Sequence, residues 1–165
     1  MSNGETMEDM TNDTQPGIFV AWFYIISGAV GLILSISAIS QSHITAGSAF
    51  VWLFLLAQIG AAIFGGVEVI RQHTRGYKIL YWVSLSCIPV IGSSVISYYA
   101  AIGIGLIPAI SFGAGYSGTS FLFKFGYDSA LELLSNSGIT TLGINLVAVV
   151  FTIYLRSILK SIQGR

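Results

Sequence analysis

Charge is what this sequence has least of. Seven Lys and Arg and seven Asp and Glu among 165 residues make 8%, about a third of the roughly 25% usual in soluble domains. The charges are also clustered. None occurs over the 54 residues from Thr14 to Val67, the 45 from Ile79 to Phe123 or the 23 from Leu133 to Leu155. A soluble domain cannot cover its surface with what remains, which excludes a cytosolic enzyme and a disordered linker. A net charge of zero without a basic run leaves no electrostatic footprint for nucleic acid.

Cysteine is nearly absent. The lone Cys87 excludes an intrachain disulfide and any redox shuttle that needs a cysteine pair. No G-x-S-x-G, H-E-x-x-H or phosphate-loop pattern is present. The two histidines, His43 and His73, fall on opposite sides of the membrane in the topology below, so they cannot share a haem or metal. No catalytic residue, metal site or cofactor is expected, and the chain is read as a non-enzyme. Small multidrug exporters carry a carboxylate in the first span and claudins an outer Trp with two Cys; neither pattern is found here.

What is present is apolar: 54% of residues, with 19 glycines. Residues 1–17 hold Glu5, Glu8, Asp9 and Asp13 without Lys or Arg. A secretory n-region is basic, so the expectation is a flexible acidic cytoplasmic tail followed by a retained span. Four spans are expected, at about 18–39, 49–70, 79–101 and 139–159, each long enough for the roughly 30 Å hydrocarbon core. Pro89 should kink the third, and Ser135–Gly138 should introduce the fourth. Arg71, Arg75 and Lys78 form the one dense basic loop, and Arg156, Lys160 and Arg165 lie in the C-terminal tail. With four spans these share a side, opposite only Lys124, so both termini should face the cytoplasm. The short loops favour a bacterial plasma (inner) membrane.

Residues 102–138 form an elaborated outer loop. Phe121, Phe123, Phe125 and Tyr127 alternate at period two, as do Ile102, Ile104 and Leu106, with turn residues Gly115–Gly118 between. This predicts an outer hairpin of Ile104–Phe112 with Thr119–Tyr127; a re-entrant segment is the alternative. Lys124, Asp128 and Glu132 sit four apart, and only the later part of that run reads as helical, with its carboxylates as surface charges. The expected fold is thus an all-α membrane protein, one domain over residues 18–165, with four transmembrane helices and a short outer β-hairpin between helices 3 and 4.

Close helix approach in lipid relies on small residues. Three stripes at i, i+4, i+8 are available: Ser27, Gly31 and Ser35; Ala57, Ala61 and Gly65; Ser93, Ser97 and Ala101. They favour a tight bundle, either within one chain or between copies. Gln58 and Asn145 are the amides inside spans, and with Ser93 and Ser94 they should form one intramembrane polar layer. Glu68 should pair with Arg71 on one helix face at the membrane edge, with Arg75 following and His73 solvated. The function expected is a non-enzymatic accessory or structural component of a membrane complex; the alternative is an oligomeric small transporter or channel. The expected partners are the bilayer and either another membrane protein or a second copy.

Overall fold

The computed structural model describes residues 17–41, 46–93, 96–113, 115–133 and 138–164. The expected tail, 1–16, lies outside them. Charge-free runs become helices where nothing interrupts them: α1 is Ile18–Gln41 and α2 is Ala46–Ile70. At 1.5 Å per residue they measure about 36 and 37 Å. Both are apolar all round, as buried or membrane helices are.

The third helix, α3, is only Thr74–Ser86, about 20 Å. The expected helical span over 79–101 is therefore wrong beyond Ser86. Pro89 stops the helix rather than kinking it, because it pushes Ile88 towards extended backbone and offers no N–H. Beyond it, Val90, Ile91, Ile96, Tyr98 and Tyr99 are β-branched or aromatic, and Gly103 and Gly105 penalise helix. The chain accordingly continues as strands: β1 (Pro89–Gly92), β2 (Ile96–Gly113), β3 (Tyr116–Leu133) and β4 (Thr140–Ile144). Pro89 takes a strand's first position, where a missing donor is tolerated. The last helix, α4 (Leu146–Gln163), starts later than expected because Thr140 and Thr141 extend a strand and Asn145 caps the helix.

The fold is not all-α. Among the described residues, three of the four helices, α1, α2 and α4, are long and apolar enough to cross a membrane, and they accompany a small antiparallel sheet. β2 and β3 pair along their whole length, from Ile96↔Leu133 to Gly113↔Tyr116. The hairpin is thus neither short nor alone. It begins well inside the residues expected to form the third span, and its turn falls between Gly113 and Tyr116, earlier than Gly115–Gly118. Asp128 and Glu132, expected on a helical piece, lie in β3.

On its other edge β2 pairs twice, with β1 at Ser97 and Tyr98 and with β4 from Ala109 to Phe112. β1 and β4 also pair with each other, so β1, β4 and β2 close a small circuit. The bend this needs is at Gly103, whose φ of +87° suits glycine. The spatial order is β1-β4-β2-β3, with β3 outermost.

The helices meet through glycines. A Cβ on Gly66 would stand 2.8 Å from the Ala21 carbonyl oxygen of α1, and one on Gly28 would stand 2.6 Å from Ile63 of α2. Of the expected stripes, Ser27 and Ser35 are buried, whereas Ala57 is exposed; the third stripe is broken because Ser97 and Ala101 are in β2. Gly17 lies against Tyr77 and Ile158. The starts of α1 and α3 and the end of α4 therefore share one end of the bundle, together with the α2–α3 turn. That end carries Arg71, Arg75, Lys78, Arg156 and Lys160.

The sheet does not sit beyond the helix ends. Gly103 packs on Phe23 and Ser27, six and ten residues from Gly17, or about 9 and 15 Å along α1. The Tyr98 ring lies 6.3 Å from that of Phe54, about 24 Å along α2 from Ile70. Ala100 and Ile102 belong to the same buried cluster as Val20, Tyr24, Ala62, Leu80 and Leu155. β2 descends into the bundle, turns at Gly103 and leaves it towards Gly113, where Ile110 and Phe112 are exposed.

Candidate functional site

Two polar groupings sit among the apolar packing. The first is built around Glu68, near the end of α2. Gln72 adopts φ +63° and reverses the chain, and the His73 N–H returns to the Glu68 carbonyl at 2.9 Å. Gly76 then lets α3 come against the α2 backbone: a Cβ there would lie 2.6 Å from the Val69 nitrogen. This tight turn points Arg75 back at Glu68, whose carboxylate accepts from Arg75 Nε. His73 Nδ1 is 2.9 Å from the same oxygen, Oε2, and Arg71 is 3.9 Å from Oε1. Glu68 is 1% exposed, while Arg71, His73 and Arg75 are largely exposed.

Glu68 lies 3.9 Å from Arg71, three residues on, but the closer cation is Arg75, reached across a turn rather than along one helix face. His73 is exposed yet touches the carboxylate. The carboxylate's hydrogen bond holds the Arg75 guanidinium above its ordinary value, and the Phe64 ring lies 5.3 Å from Arg75 Cζ, a cation–π distance. Such a cluster fixes the turn and concentrates positive charge at its surface.

The second grouping joins α2, α3 and β2. Gln58 Nε2 donates to Ser86 Oγ at 2.8 Å, and lies 3.6 Å from Cys87 Sγ. Ser86 Oγ donates to the Val83 carbonyl, and the Tyr98 hydroxyl donates to the Ser86 carbonyl at 2.6 Å. Gln58 Oε1 is buried and has no hydrogen-bond partner among the described residues. Beside it, Phe54, Ala61, Trp82 and Ser86 help to line an apolar depression of about 340 Å³.

Asn145 does not join this layer. Its Oδ1 accepts from Ala148 N–H at 3.4 Å as the cap of α4, and its own N–H donates to the Ile88 carbonyl at 2.9 Å. The reason is register: Asn145 is the junction between β4 and α4, not a residue inside a helix. Asn followed by an uninterrupted apolar run is a capping signal that would have revealed this. Ser93 follows β1, in a stretch that is not helical, and Ser94 lies outside the described residues. The expected layer of four residues is thus replaced by Gln58 with Ser86 and Tyr98. A second buried contact, Tyr24 Oη to Ser84 Oγ at 2.6 Å, ties α1 to α3.

Among the described residues no group of three or more His, Cys, Asp and Glu side chains is placed to hold a metal ion. The chain matches no family model, no curated protein and no solved structure.

Proposed function

We propose that the protein is a non-enzymatic, multi-pass component of a membrane assembly, lying in a plasma membrane with its basic end in the cytoplasm. The observation that carries this reading is the outer edge of β3. Eighteen residues, Tyr116–Leu133, pair with β2 on one side and with no described strand on the other. The sheet runs beside α1 and α2, so if those helices cross the bilayer its strands lie at bilayer depth. Backbone groups left open there are costly, and irregular or open structure is tolerated only where protein or a watery cavity covers it. A β3 edge that no described strand covers therefore calls for a partner. Positive-inside bias supports the orientation, since five basic residues lie at the end where the described chain begins and finishes.

The test is purification in mild detergent followed by mass measurement of the intact particle. A particle heavier than one chain supports the reading. A single chain with nothing bound contradicts it.

One observation favours the second reading, an oligomeric transporter or channel: the unpartnered acceptor of Gln58 beside a groove. Intramembrane polar groups often mark pathways. Ion or dye flux through reconstituted liposomes, abolished by Gln58→Leu, would support that reading; an absence of flux would remove it.

A further inference from the structure

We infer that the exposed face of α4 binds an anionic phospholipid of the cytoplasmic leaflet, its acyl chain along Leu146, Val150 and Ile153 and its phosphate at Arg156, Ser157 and Lys160. The occupant is a lipid, not a polypeptide. The site therefore stands apart from the assembly reading and needs from it only that α4 crosses the bilayer with its basic end in the cytoplasm.

α4 turns one face inward, where Ala148, Thr152, Leu155 and Ile158 are buried. Leu146, Val150, Ile153, Ser157 and Lys160 follow one another at steps of four, three, four and three, so they form a single stripe on the outer face. All five are exposed, Val150 and Ile153 at 61% and 64%. Arg156 lies three residues after Ile153 and four before Lys160; it is exposed too and borders the stripe. The stripe changes character once. Its apolar part ends at Ile153, and its polar part begins within the next turn.

The dimensions and the charge fit one leaflet's lipid. Leu146 to Arg156 is about 15 Å of helix, half of the roughly 30 Å hydrocarbon core. Gly17 lies against both Tyr77 and Ile158, so the Arg156–Lys160 turn is level with the starts of α1 and α3. The one carboxylate in the described helices, Glu68, is already held by Arg75 and His73. The Arg156 and Lys160 side chains form no ion pair among the described residues. A phosphodiester supplies the missing negative charge and acceptor oxygens for the guanidinium fork, the ammonium and the Ser157 hydroxyl. Free phosphate would leave the apolar stripe unused, and a zwitterionic headgroup would add a cation beside two others. An anionic phospholipid matches both halves, as basic residues at the cytoplasmic edge of a span commonly do.

The experiment labels Ile153→Cys with bimane in the full chain, leaving the buried Cys87 unlabelled, and reconstitutes it in phosphatidylcholine vesicles. Tail-brominated phosphatidylglycerol or tail-brominated phosphatidylcholine is then added as quencher. Brominated phosphatidylglycerol should quench at a mole fraction on the order of tenfold lower. Arg156→Gln or Lys160→Gln should each cut that preference about fivefold, whereas Lys78→Gln, at the same end, should leave it unchanged. The first comparison keeps both cations, so it decides even where a variant fails to fold. Equal quenching by the two lipids overturns the site, as does equal loss with Lys78→Gln, which would mean attraction to the leaflet as a whole. Loss of the preference on adding inorganic phosphate would make the ligand a soluble anion and overturn the lipid. Quenching by neither lipid would mean that protein covers this face, which overturns the site while favouring the assembly reading.

Discussion

Gly76 stands so close to Val69 that a Cβ on it would lie 2.6 Å from the Val69 backbone nitrogen. The obstacle is main chain, not the end of a flexible side chain, so it cannot swing aside. Gly76→Val should therefore push α3 off α2 and destabilise the protein by about 1–3 kcal/mol, as overpacking does. Gly60→Ala, with nothing within 4 Å of the added carbon, should be mild. Thermal melting in detergent compares them; equal losses would show that the α2–α3 approach is not tight.

The Glu68 cluster predicts an order of effects. Arg75→Ala should destabilise more than Arg71→Ala, because Arg75 Nε donates directly to the carboxylate whereas Arg71 is 3.9 Å away. Glu68→Leu should lower stability too, since it leaves Arg75 and His73 without their shared acceptor. The same melting assay ranks the three. A larger loss for Arg71→Ala would mean that the pair lies along one helix face after all.

The polar contacts predict a pattern of coupling. Gln58→Leu and Ser86→Ala should be non-additive, since the two side chains bond at 2.8 Å. Gln58→Leu and Asn145→Leu should add, because they act in separate places, each costing roughly 0.6–2 kcal/mol. A double-mutant cycle reads both. Coupling between Gln58 and Asn145 would restore the single layer expected from the sequence.

The limits of sequence reading are visible in these residues. α1 and α2 were legible because a charge-free run of 54 residues broken by one polar turn leaves few alternatives. The strand character of 121–127 was legible from aromatic alternation. The third span is not legible because low charge identifies apolar surroundings without distinguishing helix from strand, and a proline in an apolar run can either kink a helix or end it. Depth in an apolar run puts Asn145 inside a helix, whereas its capping role makes it the boundary of α4. The Glu68–Arg75 contact depends on a left-handed Gln72, and Tyr24–Ser84 spans 60 positions; neither follows from spacing.

Gly103 predicts the fate of the bend in β2. Its φ is +87°, and a Cβ would collide with Phe23 and Ser27. Gly103→Ala should detach the hairpin from α1 and accelerate amide exchange over Ala100–Ile102, while α2 stays protected. Unchanged exchange at those amides would show that β2 does not turn against α1.

The account depends most on where the sheet sits. Spin labels at Phe123, on the strand, and at Ser117, near the turn, can be compared in bilayers by their collisions with oxygen and with a water-soluble nickel complex. The predicted result is that Phe123 meets oxygen far more than nickel, while Ser117 meets nickel more. Nickel access at both sites would place the sheet outside the membrane as an outer loop and contradict the account.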